Sequence, residues 1–299
     1  MTIKEFLDTS EQKLDIYSGI LFNNQIFECE GTEEIIYEHN CPEFEELRSK
    51  YKLSEIAGAG TDFDRAKNLL HYFAPKLTHS SWYNNHIECN SLRLLEYSFD
   101  TPEHGINCLN KSKILVECCL ALGIYARRVC IMPYSPYDFD SHVVTEIYDR
   151  TIAKWIMLDP TTDGYFIDVN KTPLSLFEMR CKFANSEFIT FIPSDSSTKN
   201  IEELRKKHID TNAYICKNLY YFKVEKYNTF GEKGDYLHFV PKNYSLKSSQ
   251  QANLKYRINN LPHEYEYFRK KFEEDLLNLE QFTEPKRTEI SIMVEKPFK

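Results

Sequence analysis

The sequence predicts an α+β fold in which a helix packs on an antiparallel sheet. Residues 107–123 carry the signals of a buried helix, because Asn107 suits its N-cap, Gly123 suits its end, and apolar residues recur every three or four positions between them. Three β-prone runs follow this helix: YARRVCIM, HVVTEIY and KWIMLD. A Pro-containing loop and a turn at 149–154 separate them, and such short connections favour neighbouring antiparallel strands.

The chain before residue 107 divides into an acidic extension and the two helices that open the core. Residues 1–60 hold thirteen Asp and Glu against five Lys and Arg, and we interpret them as an irregular, acidic N-terminal extension. Within it NNQIFECEG and TEEIIYEHN predict short strands, and FEELRSKYKL predicts a helix. The core then spans residues 61–190 and opens with two helical segments, DRAKNLLHYFAPKL and NSLRLLEYSF.

The C-terminal part, residues 191–299, is predicted to be strand-rich with a long amphipathic helix, as a second domain or as part of the same one. The strand predictions at its start and within it are FITFI, YYFKVEKY and DYLHFV. The helix prediction covers HEYEYFRKKFEEDLLNLEQF. The tail EISIMVEKPF is either a final strand or an ordered arm.

Composition excludes several functional classes. The formal net charge is −8 with no basic segment, which argues against a nucleic-acid partner. No apolar run is long enough to span a membrane and the N-terminus has no signal-peptide h-region, so we expect a cytoplasmic protein without a membrane partner. The nine cysteines include no C-x-x-C pair, and the histidines show no metal-ligand spacing, so we predict reduced thiols, no metal and no cofactor.

Three residues have contexts that together suit nucleophilic catalysis. Cys108 is predicted in the first turn of a helix, where the helix dipole and unpaired backbone N–H groups favour a thiolate. His142 opens the second predicted strand and Asp159 ends the third, so a hairpin closed at 149–154 places both at its open end. A carboxylate beside a histidine orients the ring and stabilises the imidazolium. We therefore predict a catalytic triad of Cys108, His142 and Asp159.

The same residues carry a family resemblance. The stretches that carry it are GINCLNKS, LALGIYARRV, SHVVTEIY and KWIMLDPT. In this order they resemble the transglutaminase-like superfamily, clearly over about residues 104–166, with the family's nucleophile, histidine and aspartate falling on Cys108, His142 and Asp159. The resemblance implies a papain/transglutaminase-like core, with N- and C-terminal extensions around it, and acyl transfer on amide bonds of a protein or peptide substrate.

The resemblance leaves the acceptor open. Water would make the chain a peptidase or amidase and an amine would make it a transamidase, with water the default. The zinc-binding C-x-x-C pairs of peptide N-glycanases and the calcium loops of animal transglutaminases are both missing from this sequence. A different reading is a catalytically silent fold that serves as a protein-binding or scaffold module. An accessible Cys108 would argue against that second reading.

Other residues receive provisional roles. Trp82, upstream of the nucleophile, is a candidate oxyanion donor or otherwise a core or cleft-wall aromatic. Tyr134 and Tyr137, in the loop before His142, are candidates for lining a substrate cleft. We expect Glu146 to pair with Arg127 or Arg128. Asp163 and Asp168 are predicted to form turns.

Overall fold

The computed structural model describes residues 9–31, 33–101, 103–194, 201–281 and 284–298. Its α-helices in chain order are α1 Ser10–Phe22, α2 Pro42–Lys50, α3 Leu53–Ala57, α4 Asp62–Phe73, α5 Ser91–Asp100, α6 Cys108–Ala121, α7 Leu176–Ala184, α8 Ile201–Asn218, α9 Leu246–Asn260 and α10 Glu266–Glu280. Its strands are β1 Ile36–Tyr37, β2 Ala126–Met132, β3 His142–Asp149, β4 Lys154–Asp159, β5 Gly164–Ile167, β6 Thr190–Pro193, β7 Tyr221–Glu225, β8 Tyr227–Asn228 and β9 Tyr236–Phe239.

The centre of the fold is a seven-stranded antiparallel sheet with the order β6-β5-β4-β3-β2-β7-β9. The predicted α+β class is confirmed. The β3–β4 hairpin closes with Tyr148 opposite Trp155 and Asp149 opposite Lys154, which is the predicted register. Strand β2 pairs with β3 on one side and with β7 on the other, so strands from the C-terminal part extend the sheet of the core.

The predicted helix after residue 107 is α6, and it packs on the middle of the sheet. Asn107 caps its start by accepting a hydrogen bond from the Asn110 N–H, and Gly123 follows its end with a φ of 73°, a conformation that glycine adopts without strain. Ser112 donates from its hydroxyl to the Val143 carbonyl on β3 at 2.9 Å. Helix α6 is buried along nearly all of its length, which fixes the position of its first residue relative to β3.

Apolar side chains form two clusters, one on each face of the sheet. Alternate residues of β4 divide between them, with Ile156 and Leu158 in one cluster and Met157 in the other. Helices α2 to α6 cover the first face, while α1, α7 and α8 contribute to the second. The sheet therefore lies between two helical layers.

The N-terminal extension is more regular than the sequence predicts. Helix α1 begins after the N-cap Thr9 and buries Leu21 against the second cluster. The predicted helix at 44–53 is found as α2 and α3. Of the two predicted strands, one is reduced to the two-residue β1 and the other to an isolated bridge at Phe27. Residues 1–8 lie outside the described residues.

The C-terminal part is also more helical than predicted. Its strands β7 to β9 are short, whereas α8, α9 and α10 are long, so the expectation of a strand-rich region is wrong. Helix α9 was missed because its sequence, LKSSQQANLKYRINN, has few apolar residues to show a helical period. The tail is an ordered arm with a 3₁₀ turn at Ile290–Met293 and not a strand.

In the described ranges, no helix combines the length and the hydropathy needed to cross a bilayer. All nine cysteines are free thiols.

Candidate active site

Cys108 is the first residue of α6, as the sequence predicts. The Asn107 side chain accepts from the Asn110 N–H at 3.2 Å and donates to the Asn85 side chain at 3.1 Å, so the helix start is held on two sides. The predicted N-cap role of Asn107 is thereby confirmed. Cys108 is half-buried, and it lies in the first helical turn, where backbone N–H groups have no partner within the helix.

His142 and Asp159 meet at the open end of the β3–β4 hairpin. The imidazole Nε2 and the carboxylate Oδ2 are 2.8 Å apart, and both side chains are almost fully buried. The imidazole is also within hydrogen-bonding reach of Cys108. Since Nε2 is engaged by Asp159, the ring nitrogen left for the thiol is Nδ1. The three predicted residues therefore lie together, in the order thiol, imidazole, carboxylate.

The surroundings of Asp159 hold it in its charged form. Its second oxygen, Oδ1, accepts from the backbone N–H groups of Thr161 at 2.9 Å and Thr162 at 3.4 Å. Burial alone would raise the pKa of Asp159, but the charge of His142 and these hydrogen bonds lower it below its usual value. Burial alone would lower the pKa of His142, but Asp159 outweighs it and raises that pKa to about 10. The pair therefore favours an imidazolium beside Cys108 at neutral pH.

Two further basic side chains lie around Cys108. Lys111 follows it by one helical turn and is buried, and this burial lowers the pKa of its amine despite the neighbouring Asp159 carboxylate. His79 lies in a segment that bridges to Ile106, just before the nucleophile. Partial burial and the positive charges of Lys111 and His142 lower the pKa of His79. Lys111 is not among the predicted site residues, although its position three residues after Cys108 on a buried helix is a usable signal.

A residue from the C-terminal part also reaches the site. Tyr214 on α8 directs the edge of its ring at the His142 ring, with the centroids 5.4 Å apart and an interplanar angle of 61°. Burial and the nearby Asp140 carboxylate raise the pKa of Tyr214. No local signal marks Tyr214 in the sequence, because its contact with His142 depends on how α8 crosses the sheet.

Trp82 lies against the C-terminal helices. Its indole stacks on Tyr265 at 4.2 Å between centroids and meets Phe268 edge-on at 5.4 Å. The side chain remains 41% exposed. These contacts fit the cleft-wall alternative, and the role of Trp82 as an oxyanion donor stays a prediction.

Tyr134 and Tyr137 pack against aromatic residues of the C-terminal part. Tyr134 meets Tyr220 edge-on at 4.9 Å, and Tyr137 meets Tyr256 at 5.6 Å. Both line a cavity of about 210 Å³ between the loop 133–141 and the second helical layer. Both are also well exposed. Their role in binding a substrate stays a prediction.

The hairpin of α9 and α10 contacts both segments that lead to the site. Its Tyr265 end holds Trp82, upstream of the nucleophile. Its Asn253 side chain donates to the carbonyls of Pro136 and Asp138, each at 2.8 Å, in the loop that precedes His142. The C-terminal part therefore contacts both the segment that contains Trp82 and the loop that precedes His142.

The remaining polar predictions have structural outcomes. Glu146 accepts from the Arg127 guanidinium at 2.7 Å and 3.0 Å, which confirms the expected ion pair, and both side chains are fully buried. Asp168 accepts from two backbone N–H groups of its own turn. Asp163 has a φ of 53° in its turn and also contacts His71 at 2.9 Å. The described residues contain no cluster of three side chains suited to hold a metal ion.

Comparison with known proteins gives one match. The model of the transglutaminase-like superfamily matches residues 50–160, a range that begins near α3 and contains Cys108, His142 and Asp159. No curated protein and no solved structure matches the chain. The matched range ends one residue after Asp159, so Tyr214 and the α9–α10 hairpin lie outside it. Residues 50–160 are therefore similar to the transglutaminase-like superfamily, and in the structure they contain helix α6 packed on strands β2 to β4.

Proposed function

We propose that the chain is a thiol-dependent acyl-transfer enzyme that acts on amide bonds of a protein or peptide. Cys108 is the nucleophile, His142 the base and general acid, and Asp159 the residue that orients the imidazole. The observation that carries this proposal is the convergence of the three side chains, with the 2.8 Å contact between His142 and Asp159 and the imidazole next to the thiol.

The proposed reaction has two halves. The Cys108 thiolate attacks the amide carbonyl, and the developing oxyanion lies beside the N–H groups at the start of α6. The imidazolium of His142 then gives its proton to the leaving amine, which leaves an acyl-enzyme. Attack on the acyl carbon by water, with His142 accepting a proton, releases an acid. Attack by an amine instead releases a new amide.

The alternative of a catalytically silent scaffold makes a different prediction for Cys108. A scaffold has no need to keep the thiol open or to hold a buried charge pair against it. Cys108 is half-buried rather than fully buried, in contrast to Cys118 and Cys119 in the same helix. Isolated buried charges are costly unless they are paired, and a pair next to an accessible thiol favours a chemical role.

The test is the pH dependence of alkylation by iodoacetamide between about pH 4 and pH 9, with each modified site located by mass spectrometry. Cys29 is exposed and serves as an internal reference thiol. We expect Cys108 to be labelled faster than Cys29 at about pH 6, and His142→Ala to remove this advantage. Equal labelling of both thiols in the wild type, with no effect of His142→Ala, would favour the scaffold.

A second experiment distinguishes the acceptors. A peptide mixture is incubated with the wild-type protein, with and without an added primary amine, and the products are analysed by mass spectrometry. New acids or shortened peptides indicate hydrolysis, whereas amine-substituted peptides indicate transamidation. Cys108→Ala is the control and should give neither product.

A further inference from the structure

Side chains of helix α8 contact the loop that leads into His142. Tyr214 and Lys217 are three residues apart and therefore lie on one face of the helix. Lys217 Nζ is 3.0 Å from the Asp138 carboxylate and 3.9 Å from the Asp140 carboxylate, and it donates to the Asp140 carbonyl at 3.4 Å. The same ammonium lies 5.2 Å from the centre of the Tyr214 ring.

These contacts bear on the position of His142, the proposed base. His142 is the first residue of its strand and directly follows the loop at 133–141. Its side chain is nevertheless only 3% exposed. The Tyr214 ring is one of the groups that cover it, and the same side chain lies near the Asp140 carboxylate, two residues before His142.

We infer that Tyr214 is a positioning residue for His142 and that Lys217 supports it by holding the loop at Asp138 and Asp140. The ring restricts the imidazole to the orientation that meets both Asp159 and Cys108, and it keeps water away from the ion pair, which strengthens it. Helix α8 is then part of the catalytic unit although it lies outside the matched range. This inference rests on the proposed function, because it assigns a role to a residue that acts through the base.

The experiment compares Tyr214→Leu, Tyr214→Phe and Lys217→Gln with the wild type. The readout is the ratio of the Cys108 and Cys29 labelling rates at about pH 6. Because small displacements of catalytic groups have large effects on rate, we expect Tyr214→Leu to lower this ratio about tenfold. Tyr214→Phe keeps the ring and should lower it about threefold, and so should Lys217→Gln, which keeps the ring and frees the loop. Lys206→Gln, at an exposed position of the same helix, is the matched control and should leave the ratio unchanged.

A double-variant comparison separates positioning from general packing. If Tyr214 acts through the imidazole, Tyr214→Leu should have no further effect on Cys108 labelling in a His142→Ala background. An equal loss in both backgrounds would show that the ring acts on access or packing and would overturn the inference. A Tyr214→Phe protein as slow as Tyr214→Leu would overturn it too, because the ring contact would not be the cause.

The outcomes for this inference differ from those for the proposed function. The proposed function fails when wild-type Cys108 is labelled no faster than Cys29 and His142→Ala changes nothing. The inference fails alone when wild-type labelling depends on His142 but Tyr214→Leu and Lys217→Gln both match the wild type. Should Tyr214→Leu not fold, Tyr214→Phe and Lys217→Gln still decide the question, because both keep the ring in the core.

Discussion

Replacement of Asp159 by Asn is expected to reverse the proton arrangement of His142. In the wild type, Oδ2 of Asp159 faces Nε2 of His142, and Oδ1 accepts from the backbone N–H groups of Thr161 and Thr162. An Asn side chain has one acceptor oxygen, and we expect that oxygen to accept from these two backbone N–H groups. Its NH₂ group then faces His142 and donates to Nε2, so the ring proton moves to Nδ1, the nitrogen that faces the thiol.

The structure gives a magnitude for this change. An opposite charge at hydrogen-bonding distance raises the pKa of an imidazole by about one to three units. Each unit corresponds to about 1.4 kcal/mol of imidazolium stabilisation, so loss of the carboxylate lowers the population of the thiolate–imidazolium pair by about tenfold to a thousandfold. The pKa of His142 should fall from its raised value accordingly, since Asp159 is the principal group that raises it.

The assay is alkylation of Cys108 against the internal reference Cys29. At about pH 6, Asp159→Asn should be labelled at least about tenfold more slowly than the wild type, whereas at about pH 9 an ordinary thiol ionises without help and the two rates should converge. The control is Asp163→Asn, because Asp163 is in the same turn but contacts His71 and not His142. A wild-type pH profile in Asp159→Asn would refute the role given to this carboxylate.

Two further substitutions test the core by urea unfolding. Arg127→Ala leaves the buried carboxylate of Glu146 without its partner and should destabilise the fold by about 3–5 kcal/mol; a loss below about 1 kcal/mol would mean that water or another group compensates. Gly164→Ala would place a Cβ 2.4 Å from the Phe191 ring and should cost about 1–3 kcal/mol. Gly19→Ala on α1, where a Cβ meets no atom within 4 Å, is its control and should be neutral or stabilising by up to about 1 kcal/mol. Equal effects of the two glycine substitutions would contradict the contact argument.

The positions of the three proposed catalytic residues can be predicted from the sequence because the signals that place them are local. Asn107 and Gly123 mark the two ends of α6, and the turn at 149–154 sets the register of the β3–β4 hairpin. Once that register is known, His142 on β3 and Asp159 on β4 must lie close together at the open end of the hairpin. The position of Cys108 at the start of α6 follows from its neighbour Asn107, which is recognisable as an N-cap in the sequence.

The rest of the site depends on contacts between segments far apart in the chain. Tyr214 reaches His142 only because α8 lies on the second face of the sheet, and no periodicity in α8 indicates that face to a reader of the sequence. From its place upstream of Cys108, Trp82 is a candidate oxyanion donor or a core or cleft-wall aromatic, and its stacking partner in the structure is Tyr265, which is far away in sequence. Such contacts are determined by tertiary packing and cannot be predicted from the local propensities of the sequence.

The sheet continues across the predicted boundary at residue 190 between the core and the C-terminal part, and this continuity allows that boundary to be tested. Strand β7 pairs with β2 along Val129 to Met132, and its Phe222 and Val224 are fully buried in the second apolar cluster. A fragment of residues 61–190 would therefore expose a central strand edge and one apolar face of β2 to water. We expect this fragment to show no cooperative thermal transition, whereas the full chain with Cys108→Ala should retain one. A cooperative transition in the fragment would show that the core folds without the C-terminal part, and the division at 190 would then be a true domain boundary.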